Sequence, residues 1–219
     1  MYIKNKTTGL LFNLGEIIMS TLQARKSEAK RLHIVNNSFE LVLRKGFAGV
    51  GLKEILDHCE VPKGSFYHYF QSKEAFGSEL VQHYISGYQT RLNEIWDNED
   101  LAKTKILRYF KLWIEAPEFE KGWSDSCLIV KLAAEVADLS EDMRLIMDQG
   151  VRSLVDRLTN LILLGQQDQS IQINVDAAVT AQVIYQMWLG AALLSKLQKD
   201  QTPLYQALQA TELMIDNAK

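Results

Sequence analysis

Apolar residues recur at helical spacing along most of the chain, and three prolines and twelve glycines are the main residues that interrupt the pattern. An apolar position every three or four residues indicates a helix that packs on one face. The pattern predicts an all-α chain with no strand. About nine helices are expected, over residues 22–45, 52–59, 63–70, 72–96, 101–115, 125–137, 141–165, 175–197 and 203–217.

Three predicted helix ends have residues that suit them. Gly46 follows the first helix, and glycine commonly ends a helix because it adopts the left-handed conformation without strain. Ser72 and Ser140 each precede a helix with an acidic first turn. A serine in that position can accept a hydrogen bond from a free backbone amide, and acids in the first turn interact favourably with the helix dipole.

Two short predicted helices, 52–59 and 63–70, are joined by three residues. This is the spacing of a helix-turn-helix, whose second helix enters the major groove of DNA and presents side chains to base edges. Phe66 and Phe70 are four residues apart on that helix and are expected to anchor one face in a small core. The opposite face exposes consecutive aromatic residues, which are costly to solubility unless they have a use.

The exposed face supplies the candidate DNA contacts. Long or hydrogen-bonding side chains at the start of the helix can reach bases, and basic or hydroxyl groups beside them suit phosphates. A glycine within it lets the backbone approach DNA, and free amides at the preceding helix start suit another phosphate. The candidates are Gly51, Lys53, Lys63, Gly64, Ser65, Tyr67, His68, Tyr69 and Lys73. The alternative is a solvated aromatic face with no partner.

Charge supports the nucleic-acid interpretation. Residues 1–73 have 11 Lys and Arg against 6 Asp and Glu, whereas residues 74–219 have 13 against 21, within a chain of net charge −3. A basic end joined to an acidic body is expected when one end contacts phosphates and the other does not.

Residues 46–76 resemble the DNA-binding head of the tetracycline repressor (TetR) family. The resemblance lies in Gly46-Phe47, Leu52-Lys53-Glu54-Ile55-Leu56 and the run from Val61-Pro62-Lys63 to Glu74-Ala75-Phe76. It implies a homodimeric, all-helical repressor that binds double-stranded operator DNA through a three-helix head. The implied domains are a helix-turn-helix domain over 20–72 and a ligand-sensing and dimerisation body over 73–219. Residues 1–19 are expected to be a disordered arm or an extension.

One residue of the head departs from the family. Many members have Thr or Ser where this chain has Gly51. A side-chain contact to phosphate is therefore lost at this position, and only the backbone amides are left to make one.

The helix over 175–197 is apolar almost all round, and residues 177–195 carry no charge. Its side-chain amides oppose a membrane span, so a buried packing helix is favoured and no membrane partner is expected. The resemblance implies that the last two helices pair with those of a second copy. Gly190, Ala191 and Leu194 are the candidate dimer contacts, and a core helix of a monomer is the alternative.

The chain has two cysteines, Cys59 and Cys127, which is too few for a disulfide framework and fits the reducing cytoplasm. Cys127 lies near a predicted helix start with Lys131 one turn later, and both features favour a thiolate, whereas Asp125 opposes it. Cys59 is expected to be a packing residue.

Residues 127–144, with Trp188-Leu189-Gly190-Ala191, resemble electrophile-responsive members of the family. Those members react with electrophiles or oxidants through a cysteine in the position of Cys127. A lysine in the position of Lys196 is its partner in the oxidised form, and a further cysteine is replaced here by Ala137. The resemblance implies release from DNA on modification of Cys127, with Lys131 and Lys196 as neighbours.

Two alternatives to a covalent sensor are open. One is a non-covalent apolar inducer in a body pocket formed by Trp113, Trp123, Tyr185 and Trp188. The other, more distant, is a Cys/His enzyme. The chain has no Gly-rich phosphate loop, no paired histidines at metal-ligand spacing and no nucleophile elbow, so neither an enzyme, a metal site nor a cofactor is expected.

Overall fold

A computed structural model describes residues 7–117, 122–172, 174 and 176–216, and over these residues the chain forms nine α-helices and no strand. The predicted all-α fold is confirmed. The helices are α1 Thr7–Lys45, α2 Leu52–His58, α3 Lys63–Tyr69, α4 Lys73–Trp96, α5 Ala102–Ile114, α6 Leu128–Leu139, α7 Glu141–Gln167, α8 Ala177–Gln198 and α9 Thr202–Ile215.

The predicted helix ends at residues 46, 72 and 140 are confirmed. Gly46 follows α1 in the left-handed region, with φ +82°, and its amide donates to the Val42 carbonyl at 2.8 Å. The Ser72 hydroxyl accepts from the Ala75 amide at 3.1 Å, and Ser140 caps α7 in the same way. These ends follow from local chemistry, because each satisfies a backbone group that the helix itself leaves unpaired.

The start of α1 is a correction. The helix begins at Thr7, not at Leu22, so the predicted arm is helical from Thr7, and residues 1–6 lie outside the described part of the chain. No proline occurs between residues 7 and 21, and each residue added to an existing helix contributes one more hydrogen bond. The helix therefore continues through a stretch with little amphipathic signal.

The start of α6 is a second correction. The helix begins at Leu128 rather than at residue 125, because residues 123–126 form a turn and Cys127 is the N-cap. The Ser124 hydroxyl donates to the Trp113 carbonyl at 2.7 Å, which ties this turn to the end of α5. At the other end of the chain, α9 ends at Ile215, and the predicted end at residue 217 lies outside the described residues.

The buried apolar side chains form two clusters. The body cluster joins the second half of α4 to α5, α8, α9 and most of α7. The head cluster joins α1, α2, α3 and the first half of α4 to the start of α7 and to Leu128, Leu132 and Val136 of α6. The inner face of α6 therefore packs with the head, formed by α1, α2, α3 and the first half of α4, although in sequence α6 lies in the middle of the predicted body.

Candidate DNA interface and thiol site

The turn between α2 and α3 has the geometry of a helix-turn-helix. Glu60 lies in the left-handed region with φ 55°, the Val61 amide donates to the Leu56 carbonyl at 3.0 Å, and Pro62 precedes the first turn of α3. Phe66 and Phe70 of α3 are buried with ring centroids 5.0 Å apart. The predicted anchors are confirmed, and they fix which face of α3 is turned outward.

The outward face of α3 brings together most of the candidate DNA contacts. Lys63 and His68 are exposed, Tyr67 is half exposed, and Ser65 and Tyr69 are partly buried at the edges of the face. A Cβ added at Gly64 would meet no protein atom within 4 Å, so no packing within the chain requires a glycine there. The open space is what a close approach of another molecule to the α3 backbone needs.

Two candidates lie at the start of α2. Lys53 is exposed, and Gly51 is the N-cap with φ −78° and no side-chain cap. A Cβ at Gly51 would also meet nothing within 4 Å. A serine or threonine could therefore be accommodated, so the lost side-chain contact is a property of this sequence and not a demand of its fold.

Lys73 has a structural contact that the sequence did not indicate. Its Nζ donates to the Phe47 carbonyl at 2.8 Å and lies 4.6 Å from the centroid of the Phe47 ring. Burial lowers the pKa of this lysine, against the opposing effect of Glu74 and Glu135. Lys73 thus ties the start of α4 to the loop between α1 and α2, and its contact with phosphate stays a prediction.

Sequence reasoning missed two residues of α1 beside the recognition helix. Lys30 and His33 line a surface depression of the head together with Ser65 and Tyr69 of α3. Lys30 and His33 are both exposed. Their helix was predicted, but only the packing of α1 against the helix-turn-helix shows that they border the exposed face of α3.

Cys127 is buried, with 3% of its surface exposed, and burial raises the pKa of its thiol. The amides of Val130 and Ile129, the Tyr84 hydroxyl and the charge of Lys196 act in the opposite direction and favour the thiolate. The amides at the helix start favour the thiolate as predicted, but the loss of hydration outweighs all four contributions, so the pKa is raised.

The predicted role of Lys131 beside the thiol is also corrected. Its Nζ donates to the Arg44 carbonyl at the end of α1, at 3.2 Å, and is therefore directed to the head. Lys196 is the lysine whose charge acts on the thiol.

A small cavity of about 30 Å³ lies beside Cys127. It has room for roughly one water molecule, far less than the several hundred Å³ of a typical ligand site. Its lining includes Tyr84, Tyr88, Arg157 and the predicted pocket residues Trp113 and Tyr185.

The other two predicted pocket residues are not part of this cavity. Trp188 is fully buried in the body cluster, where it stacks on Phe110 at 4.5 Å and donates from Nε1 to the Thr211 hydroxyl at 2.9 Å. Trp123 is buried against Tyr88, with ring centroids 5.6 Å apart. Both are core residues in this conformation, which corrects the predicted pocket.

The helix α8 is the one described helix that is long and apolar enough to cross a membrane, and one side of it is packed in the body cluster. The predicted dimer residues divide between its two sides. Ala191 is buried within the chain, whereas Leu194 is 46% exposed and Gly190 faces open space. The exposed side carries a stripe of apolar residues that none of the described residues covers: Val179, Val183, Leu193, Leu194 and Leu197.

Neither cysteine is in a metal site or a disulfide. Both are free and buried, and the Cys59 Sγ lies 3.3 Å from the Ser38 hydroxyl in the head cluster. Within the described residues, no group of three or more His, Cys, Asp or Glu side chains is placed to hold a metal ion.

Comparison with known proteins identifies the fold and the head. Residues 34–80 match the family model of bacterial regulatory proteins of the tetR family, and residues 102–211 match the tetracyclin repressor-like C-terminal domain. The chain is 41% identical over 180 residues to the HTH-type transcriptional repressor NemR of Escherichia coli (strain K12), which covers 81% of this chain and 89% of that one.

Two crystal structures are similar over nearly the whole described fold. One, a transcriptional regulator of the TetR/AcrR family, is 60% identical with a TM-score of 0.78, covering 86% of this chain and 100% of the other. The reduced form of E. coli NemR is 38% identical with a TM-score of 0.78, covering 87% and 98%. The chain therefore belongs to the TetR family of helix-turn-helix transcriptional repressors.

Proposed function

We propose that this repressor binds its operator as a homodimer through α3 and is released when an electrophile modifies Cys127. The observation that carries the proposal is the position of that cysteine. Cys127 belongs to the body cluster, yet it is the N-cap of α6, whose inner face packs in the head cluster. A chemical change at the thiol therefore acts at the junction between the sensing body and the DNA-binding head.

The DNA contact is proposed to be made by the outward face of α3. Lys63 and Tyr67 are both exposed, whereas Phe66 between them is buried. Lys30 of α1 borders it and is proposed to contact phosphate, because a single ammonium there adds affinity without reading sequence.

A mobility-shift assay on the DNA upstream of the gene tests this interface. Replacing Tyr67 or Lys63 by alanine should weaken binding about 10- to 100-fold, since one base contact contributes about 1–3 kcal/mol. Lys111→Ala is the matched control, because Lys111 is exposed on α5 in the body and should bind like the wild type. Equal binding by all three variants would contradict the assignment of α3.

The homodimer is proposed to form through the apolar stripe on α8. The stripe includes Val183 and Leu194, and Gly190 between them leaves room for close backbone approach. Two copies paired in this way would place their recognition helices about 34–36 Å apart, one turn of DNA. Family members function as dimers, which supports the assignment.

Light scattering on the purified protein tests the dimer. The expected mass is twice the chain mass of 25.0 kDa. Leu194→Glu should give a monomer, whereas Leu145→Glu, at a position that is equally exposed but lies near the start of α7, should remain dimeric. A wild-type monomer would contradict the proposal.

The release step is proposed to be addition of the Cys127 thiolate to an activated alkene, as in a quinone or an unsaturated aldehyde. The thiol first gives up its proton, and the thiolate sulfur then forms a bond to the β-carbon. The electron pair of the double bond moves toward the carbonyl, and the α-carbon then takes up a proton. Atoms and electrons balance without an oxidant, and the charge of Lys196 supports the thiolate that reacts.

Matched cysteine variants test the release step. Cys127→Ser should bind operator but no longer respond to N-ethylmaleimide, while Cys59→Ser should respond like the wild type. Release that persists in Cys127→Ser would overturn the covalent mechanism and favour a non-covalent inducer.

A further inference from the structure

The N-cap of α6 and two residues within the helix are spaced four positions apart. Cys127 is the N-cap, Lys131 is one turn later, and Glu135 is one turn beyond that. Residues spaced by four lie on the same side of a helix. The thiol, the ammonium and the carboxylate therefore form one line that runs from the body to the head.

The second and third residues of this line both bind backbone groups of the head. The Lys131 Nζ donates to the Arg44 carbonyl at 3.2 Å, and the Glu135 carboxylate accepts from the Ala48 amide. Arg44 is in the last turn of α1, and Ala48 is in the loop that leads to α2. These two contacts are named the α6 clasp.

The clasp provides hydrogen-bond partners for backbone groups that have none within a helix. The Arg44 carbonyl is among the last four of α1, which have no partner inside the helix and attract a cation. Gly46 leaves room for the Glu135 carboxylate beside the loop, since a Cβ at residue 46 would lie 2.7 Å from one of its oxygens. Two helices thus hold one short loop, because Lys73 of α4 binds the Phe47 carbonyl.

The space at Cys127 links the thiol to this clasp. The cavity there is about 30 Å³, far less than the several hundred Å³ of a typical ligand site, so we expect an adduct of several heavy atoms to displace the surrounding side chains. The start of α6 is part of that wall, because Ile129 lines the cavity. A hydrogen bond is lost beyond about 3.5 Å, so a displacement of about an ångström along α6 is enough to break the Lys131 contact, and a larger displacement opens the whole clasp.

We propose that the α6 clasp couples modification of Cys127 to the DNA-binding head directly, through the backbone of the loop between α1 and α2. This inference rests on the proposed covalent release. Lys131 and Glu135 are positioning residues, since neither touches DNA nor the reacting sulfur. The clasp exists in the unmodified conformation, is broken by the adduct, and its loss frees the loop that orients α2 and α3.

The experiment compares operator affinity before and after alkylation by N-ethylmaleimide, with mass spectrometry to verify one adduct at Cys127. Allosteric coupling typically changes affinity about 5- to 150-fold, and the wild type should fall in that range. The double variant with Lys131→Ala and Glu135→Ala should be alkylated equally, yet its two affinities should agree within about twofold. Glu135→Gln, which keeps an acceptor oxygen, and Asp138→Ala, exposed on the same helix, should behave like the wild type.

Two failures are distinguishable. A fully alkylated wild type that binds operator as before would overturn the proposed function, and the coupling would fall with it. A responsive wild type together with an equally responsive double variant would overturn the clasp alone.

Hydrogen exchange on the unmutated protein gives a second test, independent of how well the variants fold. Alkylation should speed exchange of the Ala48 amide, because its acceptor is withdrawn. Unchanged exchange at Ala48 in an alkylated, released protein would overturn the proposal.

Discussion

Gly46→Ala should destabilise the protein through both its backbone conformation and a contact with Glu135. Residue 46 has φ +82°, and the left-handed conformation costs an L-residue about 1–2 kcal/mol. The new methyl group would also lie 2.7 Å from Glu135 Oε2, so the carboxylate must turn, and the hydrogen bond that its Oε1 accepts from the Ala48 amide should be lost. A partly exposed hydrogen bond contributes about 1 kcal/mol, so the total loss is about 2–3 kcal/mol.

Thermal unfolding followed by circular dichroism, at one protein concentration, measures this loss. A chain of this length shifts by about 2–4 °C per kcal/mol, so Tm should fall by roughly 4–12 °C. Gly51→Ala is the matched control, because residue 51 has φ −78° and open space around it. Its change should stay within about 0.5 kcal/mol, as a less flexible unfolded chain offsets a poorer N-cap. Equal Tm values for the two variants would refute the reasoning.

Three further changes test other parts of the structure. Lys199→Gly should raise the free energy of unfolding by about 1 kcal/mol, since residue 199 ends α8 with φ 54°, and an unchanged urea midpoint would contradict this. Trp188→Ala should lower the free energy of unfolding by about 3–5 kcal/mol, measured in the same way. Leu197 on the same helix is 78% exposed, so Leu197→Ala should lower it far less when measured in the monomeric Leu194→Glu variant. Alkylation of Cys127 should accelerate with pH to a midpoint above the ordinary thiol value of about 8.5, because burial raises its pKa, and a midpoint at or below that value would count against it. The raised pKa also makes stability depend on pH. Above about pH 8.5 the Cys127 thiol ionises in the unfolded chain but stays protonated in the folded protein, so the free energy of unfolding should fall as pH rises.

The head could be predicted from sequence because its determinants are local. The four-residue spacing of Phe66 and Phe70 fixes the buried face of α3, and Gly46 and Ser72 end and begin helices through their own backbone and hydroxyl groups. The start of α1 could not be predicted in the same way, since a helix already formed extends through residues that carry no amphipathic pattern.

The thiol site was only partly predictable because burial is a property of the whole fold. Its position at a helix start is local and was found, but the burial that raises its pKa comes from α4, α5 and α8 around it. The direction of Lys131 is equally non-local, since its partner Arg44 lies 87 residues away in sequence. Trp188 shows the same limit, because an aromatic residue at helical spacing can equally line a cavity or fill a core.

The burial of Cys127 has two consequences for a sensor: it slows the reaction of the thiol, and it brings any adduct into contact with the surrounding protein. An ordinary thiol is a few per cent ionised at neutral pH, and this one is less so because burial raises its pKa. A slow reaction favours strong electrophiles over weak ones, which is useful selectivity. An exposed thiol would react faster, but an adduct in open solvent would displace nothing. At the N-cap of α6, beside a cavity of about 30 Å³, we expect an adduct of several heavy atoms to displace protein atoms. In the proposed mechanism, the same packing that slows the reaction therefore also makes its product incompatible with the conformation that holds the head.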